Sequence, residues 1–197
     1  MHDVPQLIFE DQFSALNATC LRTEHREEIV KLYFGCGKHK VEGFIGVDKV
    51  QVGGIDVVHD MNVYPYPFAD NSADEVLLIN ILEHFPDIIK VTEEIWRICK
   101  NGARIRVEVP YYNSAGACQD PTHKSFFTES TFDYFTELGT TPLSSYNYYS
   151  SARFKILSVI PDQRKIFDVL PKRIQWLLAH HFATIHSLRF ELEAIKK

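Results

Sequence analysis

The chain has 197 residues, the length of one ordinary domain; 45% of them are hydrophobic and 24% are charged. This composition is sufficient for a sizeable core and excludes a wholly disordered protein. The 26 aspartates and glutamates outnumber the 21 lysines and arginines, which gives a net charge of −5. This charge argues against a protein that binds nucleic acid through general attraction to phosphates.

The apolar segments and the cysteines give no sign of secretion, of a membrane span or of a metal. No apolar run reaches the ~20 residues that cross a bilayer, and Met1–Pro5 lacks the features of a signal peptide. The four cysteines include no C-x-x-C pair, and the adjacent histidines His180 and His181 cannot converge on one ion from a helix. We therefore expect one domain over residues 1–197, without a metal and located in the cytoplasm.

Short apolar runs and helical patterns alternate along the chain. After a charged surface helix over residues 20–30, we expect strands at 29–34, 44–47, 55–58, 76–79, 103–109, 154–160 and 187–195. The second, third and fourth are almost continuously apolar, as are strands that a parallel sheet buries on both faces. Helices are expected from 88 to 99 and from Thr128 to about Leu138. This alternation indicates an α/β domain with a mostly parallel sheet.

A short glycine loop, Phe34-Gly35-Cys36-Gly37, follows the first expected strand. Glycines there would let the backbone turn sharply and let a ligand approach without a Cβ in the way. Asp48, at the end of the second expected strand, could accept hydrogen bonds from a ribose diol. However, Asp48 follows Gly35 by only 13 residues, against ~20 in a dinucleotide fingerprint, and Lys40 replaces the third glycine. Taken alone, the loop is as consistent with a structural turn as with a nucleotide site.

Further blocks follow this loop within residues 30–137: Asp-Met after the third strand, YPFADNSADEV before the fourth, LEHF after it, and RICKNGARIRVEVP. Their order resembles class I S-adenosylmethionine-dependent methyltransferases, in particular type 11-like enzymes of bacterial polysaccharide and glycolipid pathways. The resemblance implies a Rossmann-like methyltransferase fold with S-adenosylmethionine as the cofactor. In that fold the sheet is mostly parallel with an antiparallel C-terminal strand, and the first crossover is shortened here.

The resemblance also implies which residues bind the cofactor: Gly35, Cys36, Gly37, Asp48, Asp60, Met61 and Asn80. The glycine loop would pass beneath the methionine part of the cofactor, and Asp48 would bind the ribose hydroxyls. Asp60 and the backbone of Met61 would face the adenine, while Asn80 would lie near the methionine amino group. This arrangement agrees with the rule that ligands of open α/β sheets bind beyond the carboxyl ends of the strands.

Two histidines occupy positions where an acceptor would be activated. His84 follows the fourth strand, and His123 lies in QDPTHKSFF, in the segment that in this fold commonly overhangs the acceptor. A hydroxyl acceptor needs a general base, and His123 is the candidate, with Asp120 close enough in sequence to orient it. Structural roles stay open as alternatives: His84 could cap a helix or contact the cofactor, and the segment around His123 could be a turn.

The acceptor side is expected within residues 111–150, where Tyr111 and Tyr112 could flank a planar or sugar-like molecule. The resemblance of this segment implies a small-molecule or carbohydrate-like acceptor, methylated at a hydroxyl, and no nucleic acid. One alternative is a catalytically silent scaffold that binds the cofactor, suggested by the short first crossover and the altered glycine loop. The other is an oxidoreductase, against which the missing third glycine speaks.

Residues 161–185 form a helical insertion between the last two expected strands. Its apolar residues recur at helical spacing and give one stripe: Ile174, Leu177, Leu178, Phe182 and Ile185. Such a stripe most often packs on its own domain, and this is the expectation here. The alternative is a helix that docks on a membrane surface or on a second subunit, because basic residues gather at its start.

Overall fold

The structure is a computed structural model that describes residues 29–137, 141–163 and 169–196. Seven strands form one sheet in the order β3-β2-β1-β4-β5-β7-β6. Their bounds are β1 Lys31–Phe34, β2 Ile45–Asp48, β3 Val57–Val58, β4 Ala73–Ile79, β5 Cys99–Pro110, β6 Phe154–Gln163 and β7 Ile185–Ala194. The helix expected over residues 20–30 lies outside the described residues, apart from its last two positions.

The pairing of the strands confirms the predicted fold class. The first five strands pair in parallel, and β1 lies between β2 and β4. The last two strands are antiparallel: β7 pairs with β5 on one side and with β6 on the other. Residues 35–44, which join β1 to β2, contain turns and no helix, so the first crossover is shortened as expected.

Three α-helices lie in the described part of the chain: α1 Ile88–Ile98, α2 Ala115–Gln119 and α3 Lys172–Phe182. Shorter 3-10 helices span Leu82–His84, Thr131–Phe135 and Pro142–Tyr149. The α-helix predicted from Thr128 is wrong, because this segment is the 3-10 turn at Thr131–Phe135. Both the backbone amide and the hydroxyl of Thr136 donate to the Asp133 carbonyl oxygen, and the chain becomes extended at Thr136.

The main core lies on the face of the sheet that α1 covers. It contains Leu32, Val76, Ile105 and Leu192 from four neighbouring strands, together with Ile95 of α1. On the opposite face, a smaller cluster packs under β1 and β4 around Tyr33, Cys36 and Leu77. The expected burial on both faces is therefore confirmed for β4, and β1 is buried in the same way. The expectation is wrong for β3, which lies at the edge of the sheet and leaves Val58 exposed.

Beside this smaller cluster, the face of β5 and β7 opposite the core carries a charged ladder. Its three cross-strand ion pairs are Arg104–Glu193 at 3.2 Å, Arg106–Glu191 at 2.7 Å and Arg189–Glu108 at 3.1 Å. The alternating sequence of β5 places Ile105, Val107 and Val109 in the core and the charged residues on this outer face. These pairs are partly exposed, so the ladder forms part of the protein surface.

Helix α1 fastens the loop between β3 and β4 to the core. Its N-terminus is capped by Asp87, whose carboxylate accepts a hydrogen bond from the amide of Lys90. At its C-terminal end, Arg97 donates to the carbonyl oxygens of Tyr66 and Phe68 at 3.1 and 3.0 Å. Glu94 binds Arg97 and accepts from the Tyr66 amide at 2.9 Å. The loop that precedes β4 is thereby held at a fixed position.

Helix α3 lies between β6 and β7 and leaves part of its apolar stripe exposed, whereas Leu178 is half-buried and Ile185, at the start of β7, is buried. Within the described part of the chain, Ile174, Leu177 and Phe182 are 44%, 47% and 70% exposed. The expectation that the stripe packs on the domain is therefore wrong for these residues. Gln175 is buried, and its side-chain amide donates to the carbonyl oxygen of Leu170 at 2.7 Å. None of the described helices is long and apolar enough to span a bilayer.

Candidate active site

A cleft of about 620 Å³ opens where β1, β2 and β4 end. Its lining residues come from the glycine loop, from the segments after β2, β3 and β4, and from the segment after α2. They are Gly35, Asp48, Lys49, His59, Asp60, Met61, Asn62, Ile81, His84, Phe85, Pro121, Thr122 and Lys124. The volume is in the range of small-molecule sites, and the position at the carboxyl ends of parallel strands is typical of ligand sites in this class of sheet.

The glycine loop forms the floor of the cleft. Gly35 has φ +67°, and a Cβ built on it would lie 2.5 Å from Cγ1 of Ile81. Its amide donates to the Val47 carbonyl oxygen at 2.8 Å, which ties the loop to β2. Only glycine satisfies both the backbone conformation and the close approach of Ile81 at this position.

Asp48 lies at the end of β2 with its carboxylate at the edge of the loop. One carboxylate oxygen accepts from the Gly37 amide at 3.0 Å, and the other accepts from the Val50 amide at 3.1 Å. These two bonds fix the carboxylate, and each oxygen keeps a lone pair for a further donor. The arrangement therefore fits a ligand that carries two neighbouring hydroxyl groups.

Asp60 and Met61 form the wall after β3. The Asp60 carboxylate accepts from the backbone and side-chain amides of Asn62 at 2.9 and 2.8 Å, and these bonds lower the pKa of Asp60. Met61 is buried, and its carbonyl oxygen accepts from the Tyr66 hydroxyl at 3.0 Å. Because α1 holds Tyr66, this wall is connected to the core through hydrogen bonds.

Cys36, Gly37 and Asn80 lie beside the cleft and are not among its lining residues. The Cys36 side chain packs on the far face of the sheet with Tyr33, and burial raises the pKa of its thiol. Asn80 is exposed, with φ +49°, and its amide donates to the Glu108 carbonyl oxygen at 2.8 Å. The cofactor roles of these three residues stay predictions.

The three residues predicted as catalytic meet at the other end of the cleft. The rings of His84 and His123 are 4.8 Å apart in an edge-to-face arrangement. Nε2 of His123 lies 3.9 Å from a carboxylate oxygen of Asp120. His84 lines the cleft together with Thr122, so the cluster has a direct opening to the ligand space.

Hydrogen bonds determine which ring nitrogen of each histidine carries the proton. The Thr122 hydroxyl donates to Asp120 at 2.7 Å, so it accepts at 2.9 Å from Nδ1 of His84. Nδ1 of His123 lies 3.1 Å from the Ala117 carbonyl oxygen and donates to it. In both neutral rings, Nε2 therefore carries the free lone pair. Burial and the neighbouring His123 lower the pKa of His84, which favours its neutral form.

Glu83 belongs to the same cluster and was missed by the sequence reasoning. Its side chain is 2% exposed, and Oε1 lies 4.0 Å from Nε2 of His123. Burial raises the pKa of Glu83 to about 7. Its carbonyl oxygen accepts from the amides of Lys124 and Ser125, which brings the segment of His123 against the end of β4. The position of Glu83 directly before His84 in LEHF was the sequence feature from which its place in the cluster could have been predicted.

The predicted acceptor contact of Tyr111 is wrong. Tyr111 is fully buried in the main core, and its hydroxyl donates to Glu129 at 3.3 Å. Its half-buried neighbour Tyr112 packs edge-to-face against it with ring centroids 4.9 Å apart. Neither ring lines the cleft. The side chains that line the cleft from residues 111–150 are instead those of Pro121, Thr122 and Lys124.

Residues 34–107 match the model of the type 11 family described as Methyltransferase domain. No curated protein matches the chain. Among solved structures, a SAM-dependent methyltransferase from Archaeoglobus fulgidus is 19% identical with a TM-score of 0.55, over 85% of this chain and 87% of that one. A SAM-dependent methyltransferase from Methanosarcina mazei is 14% identical with a TM-score of 0.52, over 87% and 95%. The SpnF cyclase is 14% identical with a TM-score of 0.53, over 86% and 76%.

The residues of the cleft fit S-adenosylmethionine. The positive φ of Gly35 and the close contact with Ile81 leave a loop surface without side chains, and the Asp48 carboxylate keeps lone pairs for the ribose hydroxyls. The solved structures share the fold, and the family match assigns the segment that carries the glycine loop, Asp48 and LEHF. Residues 34–107 therefore match a methyltransferase domain, and the chain shares its fold with solved S-adenosylmethionine-dependent methyltransferases.

Proposed function

We propose that this enzyme methylates a hydroxyl group of a small-molecule or carbohydrate-like acceptor. The observation that supports the proposal is the cluster of His84, Asp120 and His123, which reaches through His84 into the cleft that Gly35 and Asp48 also line. A hydroxyl needs help to lose its proton, and the imidazoles and the carboxylate of this cluster, of which His84 lines the cleft, are groups that can provide it.

On this proposal the cofactor lies along the glycine loop. Asp48 binds the ribose hydroxyls, and Asp60 and the Met61 backbone face the adenine. Cys36 and Gly37 shape the loop beneath the methionine part, and Asn80 lies near its amino group. When bound, S-adenosylmethionine supplies a sulfonium methyl group whose carbon–sulfur bond breaks as the acceptor oxygen forms its bond to carbon.

The chain's own residues orient the acceptor and remove its proton. Nε2 of His123 carries a lone pair, because Nδ1 donates to the Ala117 carbonyl oxygen. The Asp120 carboxylate stands 3.9 Å from that nitrogen and stabilises a positive charge on the ring. Hydrogen bonds from the Thr122 hydroxyl and amide lower the pKa of Asp120 and keep it ionised.

The test is the variant His123→Ala, assayed for S-adenosylhomocysteine formed with a panel of sugars and small alcohols. General-base assistance typically contributes 10²–10⁴-fold, so turnover should fall by roughly that factor. The affinity for S-adenosylhomocysteine, measured by calorimetry, should stay unchanged. The matched control His186→Ala removes an exposed histidine away from the cleft and should keep full turnover. Equal turnover of wild type and His123→Ala from about pH 6 to 9 would contradict the assignment.

A second candidate is a scaffold that binds the cofactor without transferring its methyl group. It is favoured by the β1–β2 connection, which has no helix, and by the fold shared with a protein that is named as a cyclase. Calorimetric binding of S-adenosylmethionine without turnover on any acceptor of the panel would support this candidate.

We also propose that the enzyme is located in the cytoplasm and that α3 contacts a membrane surface or a second subunit. The described cysteines Cys36, Cys99 and Cys118 are free thiols, which suits a reducing compartment. The exposed residues Leu177 and Phe182 of α3 support a contact with a membrane surface or with a second subunit. Nucleic acid is not a partner on this proposal.

A further inference from the structure

We infer that Glu83, His84 and His123 form a binding site for one divalent transition-metal cation. One ligand atom from each of these residues lies within 4.8 Å of the other two. Glu83 and His84 belong to the 3-10 helix after β4, and His123 comes from the segment after α2. The hydrogen bonds from Lys124 and Ser125 to the Glu83 carbonyl oxygen hold the two segments together, so the donors are positioned by the backbone.

The side chain of Glu83 points independently to a missing ligand. It is 2% exposed, and its Oε2 atom is buried without a hydrogen-bond partner in the described part of the chain. The other oxygen faces Nε2 of His123 at 4.0 Å, which is too long for a hydrogen bond. Burying an unpaired carboxylate oxygen is costly, and a cation bound between the carboxylate and the imidazoles would remove that cost.

The hydrogen bonds around the two histidines have the pattern that surrounds metal-binding imidazoles. A ligating imidazole usually donates its second N–H to a carbonyl, a carboxylate or another fixed acceptor. Nδ1 of His123 donates to the Ala117 carbonyl oxygen, and Nδ1 of His84 donates to the Thr122 hydroxyl. Asp120 in turn fixes that hydroxyl. Both rings are thereby held as the tautomer whose Nε2 atom can bind a cation.

Two imidazoles and one carboxylate are a donor set for Zn²⁺, Mn²⁺ or Fe²⁺. Mg²⁺ and Ca²⁺ prefer oxygen ligands, and this cluster supplies few of them. Three protein ligands leave open positions on the cation for a water molecule or for substrate oxygens. Because His84 lines the cleft, those open positions are within reach of the acceptor.

The role of the cation rests on the proposed function. An acceptor hydroxyl bound to the cation becomes more acidic, since the positive charge stabilises the oxygen anion. The O–H bond breaks and the proton passes to a water molecule. The oxygen then forms its bond to the methyl carbon, and the electron pair of the broken C–S bond stays on sulfur. With the cation bound, His123 is a ligand, and the cation takes over the activation of the hydroxyl that His123 provides in the metal-free enzyme.

The first test measures metal binding without reference to activity. The full chain is stripped of metal with a chelator, then titrated with ZnCl₂ and separately with MnCl₂ by calorimetry, and the bound metal is counted by mass spectrometry. We expect one ion per chain and a rise in melting temperature. His84→Ala and the nearly isosteric Glu83→Gln should each weaken binding by roughly tenfold or more. The control His186→Ala should bind as wild type does.

The inference is overturned if the stripped wild-type protein binds neither metal, or if Glu83→Gln and His84→Ala, both folded, bind with wild-type affinity. Activity then separates it from the proposed function. Stripped wild-type protein that keeps full turnover would overturn the catalytic role of the cation and leave the proposed function standing. Metal binding without turnover on any acceptor would confirm the site and contradict the proposed function.

Discussion

Asp48 connects the glycine loop to the start of the segment after β2. Its two oxygens bind the amides of Gly37 and Val50, and its position at the rim of the cleft leaves lone pairs toward the ligand. One side chain therefore shapes the loop and, on the proposed function, is also the charged acceptor for the ribose hydroxyls. Removing it should affect cofactor binding more than the stability of the sheet, because the side chain lies outside the core.

We predict that Asp48→Ala weakens the binding of S-adenosylhomocysteine by tenfold or more. A hydrogen bond to a charged group contributes roughly 1.5–3 kcal/mol, and ~1.4 kcal/mol corresponds to a factor of ten. Calorimetry on the folded variant measures this. Asp56→Ala is the control, because Asp56 also binds a backbone amide, that of Gly46, but does not line the cleft. Unchanged affinity in Asp48→Ala would show that the ribose is bound elsewhere.

The motifs predicted the residues of the cleft better than the residues just beside it. Gly35, Asp48 and His84 follow strands whose ends meet at one edge of the sheet, so their convergence could be predicted from sequence. Asn80 was expected at the cleft, where the lining residue is Ile81. The left-handed backbone at Asn80 decides which of the two side chains enters, and spacing alone does not reveal it. Glu83 becomes a site residue only through contacts with the distant segment 123–125.

At the scale of elements, α1 determines the position of the wall formed by Asp60 and Met61. Glu94 and Arg97 sit on its last turn and bind the backbone of Tyr66 on both the amide and the carbonyl side. Burial alone would raise the pKa of Glu94, but the hydrogen bonds from Arg97 and from the Tyr66 amide hold it below its usual value. The ionised carboxylate is therefore favoured in the folded state.

We predict that Glu94→Gln lowers the free energy of unfolding by roughly 1–3 kcal/mol at neutral pH. The folded pKa of Glu94 is depressed, so its stabilisation is fully present above the unfolded pKa of 4.5 and is lost as pH falls through the folded value. The difference between wild type and variant should therefore shrink on acidification. Urea denaturation at pH 7 and at about pH 3.5 measures it, with exposed Glu42→Gln as the control. A difference independent of pH would contradict this account.

Strands β1, β2 and β4 were predictable because each carries a run of apolar residues, and α1 because its apolar residues recur at helical spacing. The turn at Thr131–Phe135 was not predictable in this way. Phe132 and Phe135 have a spacing that an α-helix and a 3-10 helix share, and the bonds of Thr136 to Asp133 decide between them. Similarly, Tyr111 follows Pro110 as a loop residue would, but its backbone amide still donates to the carbonyl oxygen of His186 in β7, and its ring is buried in the core.

At the scale of the whole molecule, the cofactor cleft and α3 belong to opposite halves of the sheet. The cleft lies at the ends of β1, β2 and β4, and α3 connects the antiparallel strands β6 and β7 at the far edge. A contact made by α3 would therefore leave the glycine loop accessible. This separation is consistent with an enzyme that binds its cofactor while α3 rests on another surface.

We predict that the protein floats with anionic vesicles at low salt or forms a dimer through α3, and that Phe182→Ser abolishes this contact. Because Phe182 is 70% exposed, the substitution should change the free energy of unfolding by less than about 0.5 kcal/mol, against roughly 3–5 kcal/mol for a core phenylalanine. Phe126→Ser, which removes another exposed phenylalanine, is the control. Wild-type protein that stays unbound and sediments as a monomer would contradict the contact.

The charged ladder also specifies how β7 aligns with β5. Read along β5, the charges are positive at Arg104 and Arg106 and negative at Glu108, and β7 presents the opposite signs in register. If β7 shifted by two residues along β5, every side chain would stay on the same face of the sheet. The pattern of apolar residues therefore does not disfavour such a shift. Such a shift would instead place Arg106 opposite Arg189 in one direction, or Glu108 opposite Glu191 in the other. Like charges directly opposite each other destabilise a strand pair. The ladder therefore favours one alignment of β7 with β5.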